Sequence, residues 1–158
     1  MILANTAFLN SQEKQAVFKL WNQEYPKSLG YSKLEEFDSY LHGLSELHHV
    51  LVKDGFGNIV AWYSGFKRED GIWFAMILNA SIQGKGIGTK LLEMAKQSNP
   101  LLNGWLIDHT NYLKNDGSIY RSPLKFYLRN DFFVLKQERL ELPTISAVKI
   151  RWMALKQD

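Results

Sequence analysis

Apolar residues along this chain change their spacing several times, and each change marks a new element. Met1 to Leu9 is briefly apolar and interrupted by Asn5 and Thr6, which reads as a first strand. Asn10 followed by Glu13 signals a helix start, after which Val17, Leu20, Trp21 and Tyr25 fall near one face until Pro26 ends the run. Ser32 with Glu35 predicts a second capping box, ahead of Leu34, Phe37, Leu41 and Leu44 at helical spacing up to Gly43 and Ser45. From Glu46 the texture turns to strand. Leu47–Lys53, Ile59–Phe66 and Ile72–Leu78 are rich in Val, Ile and aromatics, and turn-forming clusters at 54–58 and 68–71 separate them. Three antiparallel strands in a meander are expected.

Beyond Asn79 a glycine-rich turn leads into Ile87, Leu91, Leu92, Met94 and Ala95, a third helix that stops by Asn99-Pro100. Trp105–His109 predicts a short strand. Ser122-Pro123 suits the cap and first turn of a fourth helix through Tyr127 and Arg129, and Phe132–Lys136 and Ala147–Leu155 predict final strands. The predicted order is β, α, α, β, β, β, α, β, α, β, β. With no linker, repeat or low-complexity tract, this is an α+β fold: one domain over 1–158 with a mostly antiparallel sheet and helices on its faces.

Composition narrows the chemistry. Of 158 residues 46% are apolar, including five Trp, seven Tyr and nine Phe, enough for one well-filled core. The absence of cysteine excludes disulfides, thiol catalysis and thiolate metal sites, and accords with a reducing compartment. His42, His48, His49 and His109 show neither HxH nor HxxxH spacing, so no metal is expected. The 19 basic and 16 acidic residues leave a net charge of +3 without any basic run, which argues against a nucleic-acid partner. The start lacks a basic n-region, and no stretch approaches the ~20 apolar residues of a membrane span, so a cytoplasmic protein without membrane partners is expected.

The most informative segment is Gln83-Gly84-Lys85-Gly86-Ile87-Gly88-Thr89, between a predicted strand and a predicted helix. The first turn of a helix presents unpaired amides and partial positive charge, and glycines let an anion approach that backbone. The phosphate-binding GxxxxGK[ST] spacing is absent, and the dinucleotide GxGxxG fails because Thr89 stands at its third glycine. What the segment resembles is the Q/R-x-x-G-x-G/A signature of the GNAT N-acetyltransferase family, with Gln83, Gly86 and Gly88 in the signature positions. About forty residues on, Pro123–Phe132 is similar to the family's A-x-x-F/L-Y-x-x-x-G-F segment. Asp131 replaces the usual glycine before Phe132, which a left-handed Asn130 or Asp131 would accommodate. Tyr120 stands where the family often has Asn, and Thr110–Arg121 is a longer connection than usual.

This resemblance implies a three-layer fold whose mixed, mostly antiparallel seven-stranded sheet is flanked by four helices and splayed between its fourth and fifth strands. It implies acetyl-CoA as acyl donor, held by Gln83, Gly84, Lys85, Gly86, Ile87, Gly88 and Thr89, with Phe126 alongside. A backbone donor near Leu78 would receive the acyl or pantetheine carbonyl. Tyr127 resembles the family's general acid. The carboxylate that many relatives use as base is missing, since Ile72 takes its place. Asp108 and His109, at the end of the predicted fifth strand, are the candidate bases, and adjacent strand residues face opposite ways. Glu69, Asp70 and water relayed to bulk stay open. Trp21, Tyr25, Tyr31, Tyr40 and Trp73 read as core or as an acceptor groove. The function implied is acetyl transfer to the primary amine of a small molecule or peptide by a monomer or homodimer; the alternative is a non-catalytic acyl-CoA-binding sensor or interaction domain.

Overall fold

The computed structural model describes residues 1–155, so the last three positions of the expected domain lie outside the described residues. Its elements are β1 (Ile2–Thr6), α1 (Ser11–Glu24), α2 (Leu34–His42), β2 (Ser45–Lys53), β3 (Ile59–Arg68), β4 (Gly71–Leu78), α3 (Ile87–Ser98), β5 (Leu101–Leu106), α4 (Leu124–Arg129), β6 (Phe133–Leu142) and β7 (Ile145–Met153). Short 3₁₀ turns lie at Lys27–Leu29 and Ala80–Ile82. One seven-stranded sheet runs β1-β2-β3-β4-β5-β7-β6. Every neighbouring pair is antiparallel except β4 and β5. None of the described helices is long and apolar enough to cross a membrane.

Strand alternation builds two cores, one on each face of the sheet. Leu51 and Trp62 point to the face covered by α1 and α2, where they meet Val17, Leu20, Trp21, Phe37 and Leu41. Their chain neighbours Val50, Val52, Ala61 and Tyr63 point the other way, joining Leu91, Leu92 and Ala95 of α3 with Tyr127 and Phe132. Trp62, Phe37 and Leu92 are fully buried, each contributing about 1.5–3 kcal/mol by leaving water.

The helix starts show which local signals hold. Asn10 caps α1 reciprocally: its side chain accepts from the Glu13 amide at 2.8 Å, and Glu13 accepts from the Asn10 amide at 2.9 Å. At α2 the expected Ser32/Glu35 box is replaced. The helix opens with Lys33 at the cap, and the Ser32 hydroxyl donates instead to Glu36 at 2.8 Å. After α4 the chain turns at Asp131, whose φ of 68° is the left-handed conformation an aspartate tolerates where glycine is usual.

The fifth strand corrects the sequence reading. β5 begins immediately after Pro100 and ends at Leu106, and Leu101–Leu106 is zipped antiparallel to Met153–Val148. Asp108 and His109 therefore lie past the strand, in the loop that follows. Asn103-Gly104, a turn-like dipeptide, is buried inside β5 for two separate reasons. The Asn103 amide donates to the Asp70 and Ile72 carbonyls at 3.4 and 3.3 Å, and its oxygen accepts from Arg151 at 2.8 Å. Gly104 makes room for Phe74, whose Cε1 lies 3.1 Å from where a Cβ would sit.

These contacts fix where the sheet opens. β4 and β5 pair in parallel only at Trp73 and Asn103 and then diverge. Asn103 pins the base of the fork, while the rings of Phe74, Trp73 and Trp105 sit at the divergence, the last two 5.2 Å apart.

Candidate functional site

The fork between β4 and β5 opens into a cleft of about 1080 Å³. Its floor is the β4 backbone from Phe74 to Leu78, faced by Gly104–Ile107. One end is the glycine loop, and the flank is α4 with Phe126 and Tyr127. The other end is aromatic, made by Trp21, Tyr25, Tyr31, Tyr40, Phe66 and Trp73. The aromatics left open between core and groove do both: Trp21 is 6% exposed and still forms part of the wall.

Strand geometry sets the direction of the amide at Leu78. The Asn79 amide donates to the Val60 carbonyl of β3 at 2.8 Å. Because successive amides of a strand alternate sides, the Leu78 amide points away from β3 and into the fork, where β5 has withdrawn. The Leu78 carbonyl points the same way and accepts from the Gln83 side chain at 3.2 Å, which ties the strand end to the glycine loop.

The glycines of that loop divide into two kinds. Gly84 and Gly86 have φ of 76° and 82°, and a Cβ on either would meet nothing within 4 Å. Their role is backbone conformation in open space. Gly86 is the N-cap of α3 and offers no side chain to it, so the amides of Ile87, Gly88 and Thr89 keep free hydrogens at a positive helix end. Gly88 is different: a Cβ there would stand 2.9 Å from Cζ of Phe126, so this glycine lets α3 and α4 touch. Gln83, Gly84, Gly86, Gly88, Thr89, Leu78 and Phe126 all line the cleft. Lys85 is exposed and outside the wall, and the Ile87 side chain turns into the core.

Tyr127 lines the cleft while only 8% exposed. Burial, reinforced by the nearby Tyr120 and Tyr63 phenols, raises its pKa far above the ordinary tyrosine value. Tyr120 is pushed up to about 12 by burial, and Tyr25 is raised by burial and by Tyr120, Tyr40 and Tyr127. The mutual influence of Tyr25, Tyr120 and Tyr127 reflects their convergence from α1, the long loop and α4. All three are neutral phenols near pH 7.

Asp108 and His109 do not face this cleft, whose β5 wall ends at Ile107. Asp108 takes a bidentate pair from Arg139 at 2.9 and 3.1 Å, and that guanidinium lowers its pKa. His109 accepts from the Asn111 amide at 3.1 Å and packs edge-on against Tyr112. Asp70 is likewise engaged, by Lys149 and by the Trp73 indole, and Glu69 is exposed in the turn outside the wall.

The one carboxylate among the described residues that lines the cleft is Glu24, which sequence reasoning passed over. It is 6% exposed, accepts from the Ala80 amide at 3.1 Å, and pairs with Lys114 at 3.0 Å. The available signal was an acid in the last turn of α1, where the helix end disfavours negative charge and a tertiary partner is called for. That partner gives the long Thr110–Arg121 loop its place. It folds back through a Leu113–Ile119 bridge, and the Leu113 carbonyl accepts from the Lys27 amide at 2.8 Å. Asn115 donates to the Asn22 carbonyl at 2.6 Å, so the loop is fastened to the end of α1. Arg68, Arg121 and Arg129 also line the cleft and were not anticipated.

The family model "Acetyltransferase (GNAT) family" matches residues 14–98. No curated protein matches the chain. Among solved structures, an aminoglycoside 6'-N-acetyltransferase complexed with coenzyme A superposes with a TM-score of 0.71 at 15% identity, covering 100% of this chain and 99% of that one. An aminoglycoside 6'-N-acetyltransferase from Enterococcus faecium gives a TM-score of 0.67 at 14% identity, with 100% and 99% covered. A spermidine N-acetyltransferase from Vibrio cholerae gives 0.64 at 13% identity, with 97% and 95% covered. At such identities the likeness establishes the shared fold alone.

Proposed function

This chain belongs to the acetyltransferase (GNAT) family, and from that membership we propose that residues 1–158 form one domain that moves an acetyl group from acetyl-CoA to a primary amine by direct attack on the thioester. The observation that carries this reading is the junction of two features. A helix end with open amides and left-handed glycines adjoins a strand whose outward amides have lost their partner strand.

The diphosphate of acetyl-CoA sits on the amides of Ile87, Gly88 and Thr89, with Gln83, Gly84 and Gly86 shaping the approach and Arg121 and Arg129 adding positive charge to the cleft wall. The pantetheine arm takes the place β5 vacates beside β4. The acyl carbonyl accepts from the Leu78 amide, which holds the oxyanion as the amine nitrogen bonds to the carbonyl carbon. As the tetrahedral intermediate collapses, the carbon–sulfur bond breaks and the thiolate takes a proton from Tyr127, which solvent later restores. Burial keeps Tyr127 in its neutral, donating form, and the same burial would raise the basicity of a thiolate formed beside it. The amine's proton leaves through water, because Glu24 is already paired and Asp108 and His109 lie outside the cleft.

Release of CoA thiol from acetyl-CoA against an amine panel tests the proposal. Tyr127→Phe is expected to lower kcat by about 10²-fold or more while acetyl-CoA affinity by calorimetry stays within about twofold. Unchanged turnover removes Tyr127 as the acid. Acetyl-CoA binding without thiol release from any amine replaces transfer with a sensor function.

A further inference from the structure

We propose that the acceptor is an amine that also carries a carboxylate on an apolar body, as an apolar α-amino acid does, and that Arg68 receives that carboxylate. This rests on the acetyl-transfer reading of the same cleft and names the acceptor that its aromatic end would take.

Three features of that end select the acceptor by charge. First, Arg68 is an uncommitted cation: its guanidinium lies over the Trp73 ring at 4.7 Å and the Phe66 ring at 5.0 Å and makes no ion pair with a carboxylate among the described residues. The neighbouring Asp70 is already held by Lys149 and the Trp73 indole. Arg68, itself solvent-exposed, thus lies against two rings at the cleft wall with its hydrogen-bonding edge unspent, and a guanidinium so placed can receive a carboxylate bidentately.

Second, among the described residues no unpaired carboxylate lines this end to receive a polycationic acceptor; Glu36, near enough to Tyr31 to raise its pKa, lies outside the wall. Glu24 is neutralised by Lys114 and by the Ala80 amide. Tyr31 and Tyr40 are neutral phenols, Tyr40 pushed up to about 12 chiefly by burial and Tyr31 raised by burial and Glu36. The ring faces of Trp73 and Phe66 are already occupied by cations, Arg68 against both and Lys149 at 5.3 Å from Trp73.

Third, the remaining wall suits an apolar body. The Trp21 ring stands 4.6 Å from Tyr25 and 5.1 Å from Tyr40, and these rings line the same cleft as Arg68 and Tyr127.

The test compares phenylalanine, phenylalaninamide, phenethylamine and spermidine, the first three sharing one apolar body. Calorimetry on the CoA-saturated protein reads acceptor binding, and thiol release reads turnover. Phenylalanine is expected to bind and react with kcat/KM at least about tenfold above phenylalaninamide and phenethylamine, with spermidine weaker still. Arg68→Gln is expected to raise KM for phenylalanine about tenfold, to abolish the preference over the amide, and to leave acetyl-CoA affinity unchanged. Equal binding of phenylalanine and its amide, spermidine as the best acceptor, no detectable phenylalanine binding, or an indifferent Arg68→Gln overturns this acceptor class. Each of these leaves acetyl transfer standing so long as acetyl-CoA binds and some amine releases thiol. Failure to bind acetyl-CoA instead removes the reading beneath it.

Discussion

Replacing Gly88 by alanine asks whether the loop glycines act through backbone freedom or through packing. The added methyl would stand 2.9 Å from Cζ and 3.3 Å from Cε2 of Phe126. Ordinary carbon contacts need about 3.5–4.0 Å, so the ring must retreat by roughly 0.6 Å or more. Overpacking of this size costs about 1–3 kcal/mol, against which alanine in a helix gains about 0.5–1 kcal/mol over glycine. The expected net loss is about 0–2.5 kcal/mol, near 1 kcal/mol at mid-range, or a fall in Tm of a few degrees at ~2–4 °C per kcal/mol for a chain of this length. Urea unfolding followed by tryptophan fluorescence measures it, and calorimetry shows whether acetyl-CoA binding weakens as the first turn of α3 shifts.

A double-mutant cycle separates the collision from other effects. With Phe126→Leu the ring tip is gone, so Gly88→Ala should become neutral or stabilising, giving a coupling of about 1–2 kcal/mol. An effect of Gly88→Ala identical in both backgrounds would refute the packing role and return Gly88 to the class of Gly86.

Other expectations follow from buried groups. Glu24→Ala strands Lys114 in a nearly closed site, 17% exposed, and frees the long loop. Stability should fall by about 3 kcal/mol, with faster hydrogen exchange over 110–121, and unchanged exchange there would dissociate the pair from the loop's anchoring. His49 is 2% exposed, accepts from the Trp62 indole at 3.0 Å, and has its pKa lowered to about 4 by burial and by His48, with Glu13 opposing. Its unfolded value is about 6.5. Between those values the unfolded chain binds the extra proton, so this stability is complete above pH ~6.5 and lost towards pH 4, about 3 kcal/mol in all. Urea unfolding at pH 7 and pH 4.5 should show a smaller loss for His49→Gln; an equal loss in both proteins assigns the acid sensitivity elsewhere.

What the sequence alone determined is local in origin. Enrichment in Val, Ile and aromatics between turn clusters placed Val50, Leu51 and Val52 on a strand, the Asn10–Glu13 box started α1, and the left-handed turns at Gly84 and Gly86 were foreshadowed by glycines before an amphipathic run. Such signals depend on residues within one turn or one hairpin, so they can be read in order along the chain.

Tertiary structure decided everything that depends on register or on distant partners. β5 pairs with β7 only as far as Leu106, and Asp108, held by Arg139 of β6, and His109 lie past that point, outside the cleft wall. Glu24 meets Lys114 across 90 residues, and Tyr25, Tyr120 and Tyr127 converge from three separate segments. Gly86 and Gly88 are chemically identical and two positions apart; only the ring of Phe126, brought in by α4, distinguishes a glycine needed for its dihedral from one needed for its missing side chain. Spacing cannot encode such differences, because they are created by contacts that exist only once the sheet has closed around its core.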